Sequence, residues 1–216
     1  MGVSKPYSSY NSYFLIPFFI WVLVGAVFQF YYTQEELFKV INLNHSPVLD
    51  VAMSSLTLLG EGVVTTIILL SLFAFKRFRN WWYFIAALAC NILPSILTQI
   101  VKSYVGAPRP LKFFAEAQWI HILPHWQHAF ERSFPSGHTT AAFCFFTFIS
   151  FLLPQKYKAI GVVFLLLALS TAYSRVYLAV HFFEDVYIGS IIGVLFTTFI
   201  ISLMNKYQAV FFKKNK

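Results

Sequence analysis

Six long apolar segments make up most of the chain, and its polar positions fall mainly between them. A helix needs about 20 apolar residues to cross the hydrocarbon core of a bilayer, so each segment is a candidate membrane span. The pattern predicts an all-α polytopic membrane protein, a six-transmembrane-helix bundle with an interfacial loop between helices 3 and 4. The predicted spans cover residues 13–32, 50–75, 81–104, 137–153, 159–178 and 184–204.

The composition agrees with a chain that resides in lipid. Hydrophobic residues form 58% of the 216 and charged residues 11%, whereas soluble domains carry roughly 25% charge. The length suits one integral-membrane domain over residues 1–216 and leaves no room for a second folded domain. Cys90 and Cys144 both fall inside apolar segments, and we interpret them as small buried hydrophobic residues rather than a disulfide.

The cations are distributed unequally between the two sides of the predicted bundle. If both termini share one side, that side carries ten of the 16 Lys and Arg residues and the other side carries six. Because cytoplasmic loops are enriched in Lys and Arg, we expect both termini to be cytoplasmic. The net charge of +8 therefore reflects topology, and nucleic acid is not an expected partner.

Alternating crossings bring three polar motifs to the extracytoplasmic side. The motifs lie within residues 102–110, 135–138 and 174–185, at the ends of four predicted spans. In the first motif, Lys102 taken alone has two equally good explanations. It could bind phosphate, or its side chain could snorkel toward the lipid headgroups. Arg109 stands between two prolines that fix its backbone, and its planar guanidinium suits bidentate binding of phosphate. This clustering is the main argument for a functional site.

The second motif, Pro135-Ser136-Gly137-His138, begins the fourth predicted span. Ser136 is a natural N-cap for that helix. A helix start with glycine also offers free N–H groups and a positive dipole end, which bind phosphate. Capping alone does not explain His138, which we expect to face the same pocket.

The third motif combines a deep cation with a histidine and a carboxylate. Arg175 lies toward the end of the fifth predicted span, where a charge is costly and commonly functional. His181 and Asp185 are four residues apart, so they share one face of the sixth span. A carboxylate on one ring nitrogen fixes the tautomer and leaves the other nitrogen free to attack. Glu184 points about 100° away around the helix, so Asp185 is the better partner.

The three motifs together resemble the type-2 phosphatidic acid phosphatase family, which shares its phosphate site with vanadium haloperoxidases and glucose-6-phosphatase. The matching strings are Lys102-x6-Arg109-Pro110, Pro135-Ser136-Gly137-His138 and Ser174-Arg175-x5-His181-x3-Asp185, in the family's order and spacing.

The resemblance implies a role for each motif residue. His181 would be the nucleophile that forms a phosphohistidine, and Asp185 would orient it. His138 would protonate the leaving oxygen and then activate water. The resemblance also implies that no cofactor and no metal ion is needed. The residues that would hold the phosphoryl oxygens are Lys102, Arg109, Ser136, Gly137 and Arg175.

The predicted function is therefore an integral-membrane phosphatase that hydrolyses a phosphomonoester or pyrophosphate of a membrane lipid. Candidate substrates are undecaprenyl pyrophosphate, phosphatidylglycerol phosphate, phosphatidic acid and lipid A phosphates, with a preference for the polyprenyl pyrophosphate. The expected partners are this lipid and the bilayer, and the resemblance implies a bacterial cytoplasmic (inner) membrane. The oligomeric state does not follow from the sequence. The alternatives are a lipid-to-lipid phosphotransferase and a non-catalytic lipid transporter that retains the phosphate site.

Two further features could suggest other chemistry. His121, His125 and His128 lie in the loop between spans three and four, where a metal site is one interpretation. Pro124 interrupts any helix there and no cysteine joins them, so an amphipathic interfacial segment is favoured. The side chains expected to contact lipid in that segment are Phe113, Phe114, Trp119, Ile120 and Trp126.

Glu61 lies between Gly60 and Gly62, well inside the second predicted span. An intramembrane carboxylate is commonly functional. It is equally compatible with a hydrogen bond to a neighbouring helix, which the two glycines would allow to approach closely. Glu61 is therefore not included in the predicted site.

Overall fold

The computed structural model of the chain describes residues 10–115, 117–124 and 129–211, and these ranges contain helices and connecting segments but no strands. The all-α prediction is confirmed for them. Short 3-10 segments at Thr57–Gly60, Leu72–Ala74, Lys76–Phe78 and Gln155–Ile160 connect the α-helices. The α-helices of the described ranges are α1 (Ser12–Tyr31), α2 (Gln34–Asn42), α3 (Pro47–Leu56), α4 (Gly62–Ser71), α5 (Trp81–Val105), α6 (Pro110–Phe113), α7 (Gly137–Leu152), α8 (Gly161–Tyr177) and α9 (Phe183–Phe211).

Four stretches of the described ranges are long and apolar enough to cross a bilayer. They contain α1, α5, α8 and α9. The bent pair formed by α3 and α4 makes a fifth candidate, and α7 is apolar but shorter, with 16 residues. The protein is therefore a polytopic membrane protein with an all-helical fold.

Helix α7 occupies the centre of the bundle, where it packs against α5, α8 and α9. Twelve of its 16 residues are buried, including Phe143 and Phe148. Helix α9 approaches it closely at Gly193, where a Cβ atom would lie 2.6 Å from the Cβ of Phe143. Small residues permit such close approaches between membrane helices. This packing fixes the start of α7 relative to the start of α9, so the second and third motifs are held together.

The second predicted span is not the continuous helix over residues 50–75 that the sequence suggested. It consists of Pro47–Gly60 and Gly62–Ala74, bent by 63° at the break between them. Glu61, at the break, has an extended backbone with φ −76° and ψ 123°. The two flanking glycines are poor helix formers, and Gly60 is pressed against α7. The prediction of an unbroken helix was wrong because tertiary contact at this point is incompatible with a straight helix.

The loop between α5 and α7 packs inward more than the sequence suggested. Phe114 and Trp119 contact Phe38 of α2, with ring centroids 5.5 and 6.1 Å apart. Ile120 also packs on the core, whereas Phe113 is 60% exposed. Helix α2 was not predicted, and its buried Phe38 is the partner that draws these aromatic side chains away from lipid. Trp126 lies outside the described residues.

Both cysteines are free and buried, as the sequence indicated. They lie in the interior of α5 and α7, where they pack as small hydrophobic side chains.

Candidate active site

The predicted site residues come together where four helix ends meet. Lys102 lies in the last turn of α5, and Ser136 caps the start of α7. Arg175 lies in the last turn of α8, and Asp185 in the first turn of α9. Backbone hydrogen bonds tie these ends directly, because the N–H of Ser136 donates to the carbonyl of Asp185 at 2.9 Å. The N–H of His181 also donates to the carbonyl of Arg175, at 3.2 Å.

His181 and Asp185 form a buried pair. Their residues are 1% and 4% exposed, and His181 Nδ1 lies 3.2 Å from Asp185 Oδ2. An ionised carboxylate can only accept a hydrogen bond, so Nδ1 carries the proton. The other ring nitrogen, Nε2, is on the opposite side of the imidazole and is left with its lone pair. The pair therefore presents a nitrogen nucleophile of fixed tautomer.

Asp185 is itself held by two further donors. The backbone N–H of Phe182 donates to Oδ2 at 2.8 Å. The hydroxyl of Ser133 also donates to Oδ2, and its oxygen lies 3.4 Å from His181 Nδ1. Ser133 is fully buried. These contacts hold the carboxylate in the orientation that fixes the His181 ring.

Three cationic side chains surround this pair. Lys102 Nζ donates to the carbonyl groups of Arg132 and Ser133, at 2.8 and 3.3 Å. Arg109 donates from Nε to the carbonyl of Glu131 at 2.9 Å and from Nη1 to that of Val180 at 3.1 Å. These bonds to backbone carbonyls position the two cations beside the segment that carries His181.

Arg175 is the most deeply placed of the three cations, and its residue is 5% exposed. Its Nη1 donates to Thr57 Oγ1 at 2.6 Å. Its Nε is buried and has no hydrogen-bond partner within the described ranges. A buried guanidinium N–H without a partner is costly, so this donor is available for an anion that enters the site.

The surroundings of His181 favour its neutral form. Burial lowers the pKa of His181 well below its usual value, and the positive charges of Arg175, Arg109 and Lys102 lower it further. A neutral imidazole keeps the Nε2 lone pair that nucleophilic attack requires. The same cations would attract a phosphate to that nitrogen.

The start of α7 combines a cap with a second histidine. Ser136 Oγ accepts from the N–H of Thr139 at 3.4 Å and from its hydroxyl at 3.0 Å, so Ser136 is an N-cap as expected. Gly137 faces Lys102, because a Cβ atom added to it would lie 3.8 Å from Lys102 Cε. His138 Nε2 lies 2.8 Å from Oε2 of Glu61.

The structure thus brings all eight predicted residues to one place and adds three that were not predicted. Ser133 contacts Asp185, Thr57 contacts Arg175, and Glu61 contacts His138. Glu61 stood out as an intramembrane carboxylate, although its partner was not predicted. Thr57 and Ser133 carry no charge and match no motif of their own, so only tertiary proximity identifies them.

The histidines of the loop between α5 and α7 make different contacts. His121 Nε2 lies 2.7 Å from Asp50 Oδ1, and its ring stacks on His45 at 3.8 Å. His125 and His128 lie outside the described residues. Within the described ranges, no group of three His, Cys, Asp or Glu side chains could hold a metal ion.

Comparison with known proteins gives a family match that includes all eight site residues predicted from the sequence. A family model described as "PAP2 superfamily" matches residues 80–209, which contain all three motifs. Undecaprenyl-diphosphatase BcrC of Bacillus subtilis is 30% identical over 171 residues, with 76% of this chain and 82% of the relative covered.

Two solved structures have the same fold. The crystal structure of LpxE from Aquifex aeolicus is 30% identical, with a TM-score of 0.63 over 77% of this chain and 93% of that chain. The transmembrane PAP2 type phosphatidylglycerolphosphate phosphatase of Bacillus subtilis has a TM-score of 0.66 and 23% identity, over 94% of this chain and 100% of that chain. The second likeness extends the fold assignment to almost the whole chain.

Proposed function

The chain belongs to the PAP2 superfamily, and from this premise we propose that it is an integral-membrane phosphatase. Its substrate is a membrane lipid that carries a phosphomonoester or a pyrophosphate. The observation that carries the proposal is the buried His181–Asp185 pair beside three cations, one of which has an unpartnered Nε. This is a nucleophile placed in an anion site.

In the first step, Nε2 of His181 attacks phosphorus while the bond from phosphorus to the leaving oxygen breaks. His138 donates a proton to that oxygen, and Asp185 stabilises the positive charge that develops on the His181 ring. The products are the dephosphorylated lipid and a phosphohistidine.

In the second step, a water molecule attacks the phosphorus of the phosphohistidine. His138, now neutral, takes a proton from this water, and the bond from phosphorus to Nε2 breaks. Inorganic phosphate leaves, and both histidines return to their initial protonation states.

The phosphoryl oxygens are held in both steps by fixed donors. Catalysis of phosphoryl transfer rests mainly on positioning and on electrostatic stabilisation of the equatorial oxygens. The side chains of Lys102, Arg109 and Arg175 supply the charge, and Ser136 and Gly137 contribute at the positive end of α7.

A groove beside the site supports a lipid substrate. A cavity of about 1100 Å³ opens between α4 and α5 and is lined by apolar side chains such as Ile67 and Ile96. Its lining also includes Gly62 and Ser103, the neighbours in sequence of Glu61 and Lys102. A hydrocarbon chain in this groove would end beside the two segments that carry Glu61 and Lys102.

Among lipid phosphates, we favour a polyprenyl pyrophosphate such as undecaprenyl pyrophosphate. The support is the similarity to a relative named undecaprenyl-diphosphatase over 82% of that relative. Phosphatidylglycerol phosphate, phosphatidic acid and lipid A phosphates are the other substrates to be compared. Transfer to a second lipid would use the same phosphohistidine, with a lipid hydroxyl or phosphate in place of water.

We further propose six crossings within one domain over residues 1–216, with both termini cytoplasmic and the site on the extracytoplasmic face. The sixth crossing would be α7, which is short but sheltered by its neighbours. The excess of Lys and Arg on one side supports this orientation. A bacterial cytoplasmic membrane is the expected location.

The direct test is release of inorganic phosphate from a panel of lipid phosphates by purified protein. We expect turnover by the wild type and none by His181→Ala. His45→Ala is a matched control, because His45 is an exposed histidine outside the site. Normal activity of His181→Ala would exclude the proposed nucleophile, and binding without turnover by the wild type would favour a non-catalytic lipid transporter.

A further inference from the structure

Glu61 lies at the break between the two helices of the second span. Its carboxylate accepts a hydrogen bond from Nε2 of His138 at 2.8 Å, across 77 residues of sequence. The two side chains are 46% and 33% exposed, so the pair lies at the open edge of the site. The chemistry in which His138 takes part is therefore linked to an element outside the three motifs.

The carboxylate of Glu61 does not cap the helix that begins after it. Glu61 is the N-cap residue of α4, yet its side chain makes no capping hydrogen bond. A glutamate that served only to start this helix would direct its oxygens to the free N–H groups of the first turn. The observed direction, toward His138, calls for a different explanation.

The backbone around Glu61 is fixed against α7 and α8. A Cβ atom on Gly60 would lie 2.5 Å from the carbonyl oxygen of His138, so only glycine permits this approach. Thr171 Oγ1 donates to the carbonyl of Leu56 at 3.2 Å. These contacts fix the backbone from which the Glu61 side chain reaches the imidazole.

The charges around His138 explain what a carboxylate would contribute. Arg175 of α8 and Arg109 of the loop after α5 both act on it electrostatically, and Glu61 is the acidic group that faces it. To protonate a leaving oxygen, His138 must carry a positive charge beside these cations. Like charges disfavour that state, and an opposite charge in hydrogen-bond contact favours it.

We propose that Glu61 is a positioning residue for His138: it stabilises the protonated imidazole and holds Nε2, so that Nδ1 exchanges protons with substrate and water. In the first step, Nδ1–H gives its proton to the leaving oxygen. In the second, the bare Nδ1 takes a proton from water while Nε2–H stays on Glu61. This inference rests on the proposed function and adds to it a residue that sustains both steps.

The arrangement has a consequence for substrate class. The leaving group of a lipid monophosphate is an alkoxide, which needs a proton as the bond to phosphorus breaks. The leaving group of a lipid pyrophosphate is a lipid phosphate, which is stable as an anion. Loss of the Glu61 charge should therefore slow monophosphates much more than pyrophosphates.

The experiment compares Glu61→Gln with wild type on a polyprenyl monophosphate and a polyprenyl pyrophosphate with the same tail. Gln keeps a hydrogen-bond acceptor for Nε2 and removes the charge. Since general acid catalysis contributes about 10²–10⁴-fold, we expect kcat/KM for the monophosphate to fall by roughly 10–100-fold. For the pyrophosphate the loss should stay below about threefold. Glu184→Gln is the matched control, because Glu184 is an exposed glutamate that bonds to Gln34 at 2.9 Å.

The pH profile separates this role from a structural one. For the monophosphate, the first step requires protonated His138, so kcat/KM for this substrate falls on the alkaline side as His138 loses its proton. Removing an adjacent negative charge should move this descending limb to lower pH by about one unit, the low end of such effects because the pair is partly exposed. Glu61→Asp keeps the charge, and its limb should stay close to that of wild type.

Distinct outcomes decide the question. A selective loss on the monophosphate, with a shifted limb in Glu61→Gln but not in Glu61→Asp, supports the proposal. Equal losses on both substrates with an unmoved limb, or no loss at all, overturn it. If Glu61→Gln does not fold, Glu61→Ala also removes the charge and must show the same selective loss and shifted limb; equal losses with an unmoved limb would overturn the proposal. Absence of turnover by the wild type would instead refute the proposed function.

Discussion

Replacement of Asp185 by Asn tests the orientation and charge of the nucleophile. Asp185 Oδ2 accepts from His181 Nδ1, from the N–H of Phe182 and from the hydroxyl of Ser133. An asparagine that places its carbonyl oxygen at this point can keep all three contacts. The substitution therefore removes mainly the negative charge that faces the ring as His181 attacks.

The size of the effect follows from the distance. A unit charge pair at the observed 3.2 Å interacts with about 5 kcal/mol at an effective dielectric constant of 20. This corresponds to a factor of about 10⁴, since 1.36 kcal/mol changes a rate tenfold. The positive charge on the ring is only partial in the transition state, so we expect kcat to fall by about 10²–10⁴-fold, as for other catalytic triad carboxylates.

The assay is release of inorganic phosphate from a lipid phosphate in detergent micelles, with kcat and KM determined separately. Glu184→Gln is the control, because it removes a neighbouring carboxylate outside the site. A loss of less than tenfold in kcat for Asp185→Asn, or a change confined to KM, would refute the assigned role of this carboxylate.

Three other predictions concern packing, anion binding and metal independence. Gly193→Ala would place a Cβ 2.6 Å from that of Phe143, so it should destabilise the protein by about 1–3 kcal/mol. In detergent, its Tm should be lower than that of Gly62→Ala, the control, whose added Cβ meets open space. Arg175→Lys should raise KM and lower kcat, because the single nitrogen of a lysine cannot replace both the Nη1 that bonds Thr57 and the Nε that is free for phosphate; unchanged constants would exclude Arg175 from phosphate binding. Excess chelator should leave phosphate release unchanged, whereas inhibition that added divalent cation reverses would contradict the predicted metal independence.

Much of the site could be predicted from sequence because its chemistry is carried by local spacing. The His181–Asp185 pair followed from a separation of four residues in a helix, and the cap at Ser136 followed from its place before an apolar run. The family resemblance rested on the same strings and is confirmed by the match over residues 80–209. The helical membrane fold followed from the lengths of the apolar segments.

The remainder depended on contacts between distant parts of the chain. The break at Glu61 and its bond to His138 join elements 77 residues apart, so spacing within one helix gave no indication of them. Ser133 and Thr57 are common residue types whose importance arises only from their neighbours. The inward packing of the aromatic loop required Phe38 of α2, a helix that hydrophobic segment length did not reveal.

The most direct test of the central claim is to trap and locate the phosphoryl group on the enzyme. Protein quenched during turnover of a ³²P-labelled lipid phosphate should carry acid-labile, alkali-stable label, and peptide mapping should place it on His181. The label should be absent from His181→Ala. In a variant that lacks His138, the label should accumulate where hydrolysis of the phosphohistidine is slowed more than its formation. Turnover without a labelled enzyme, or label on a different residue, would contradict the account.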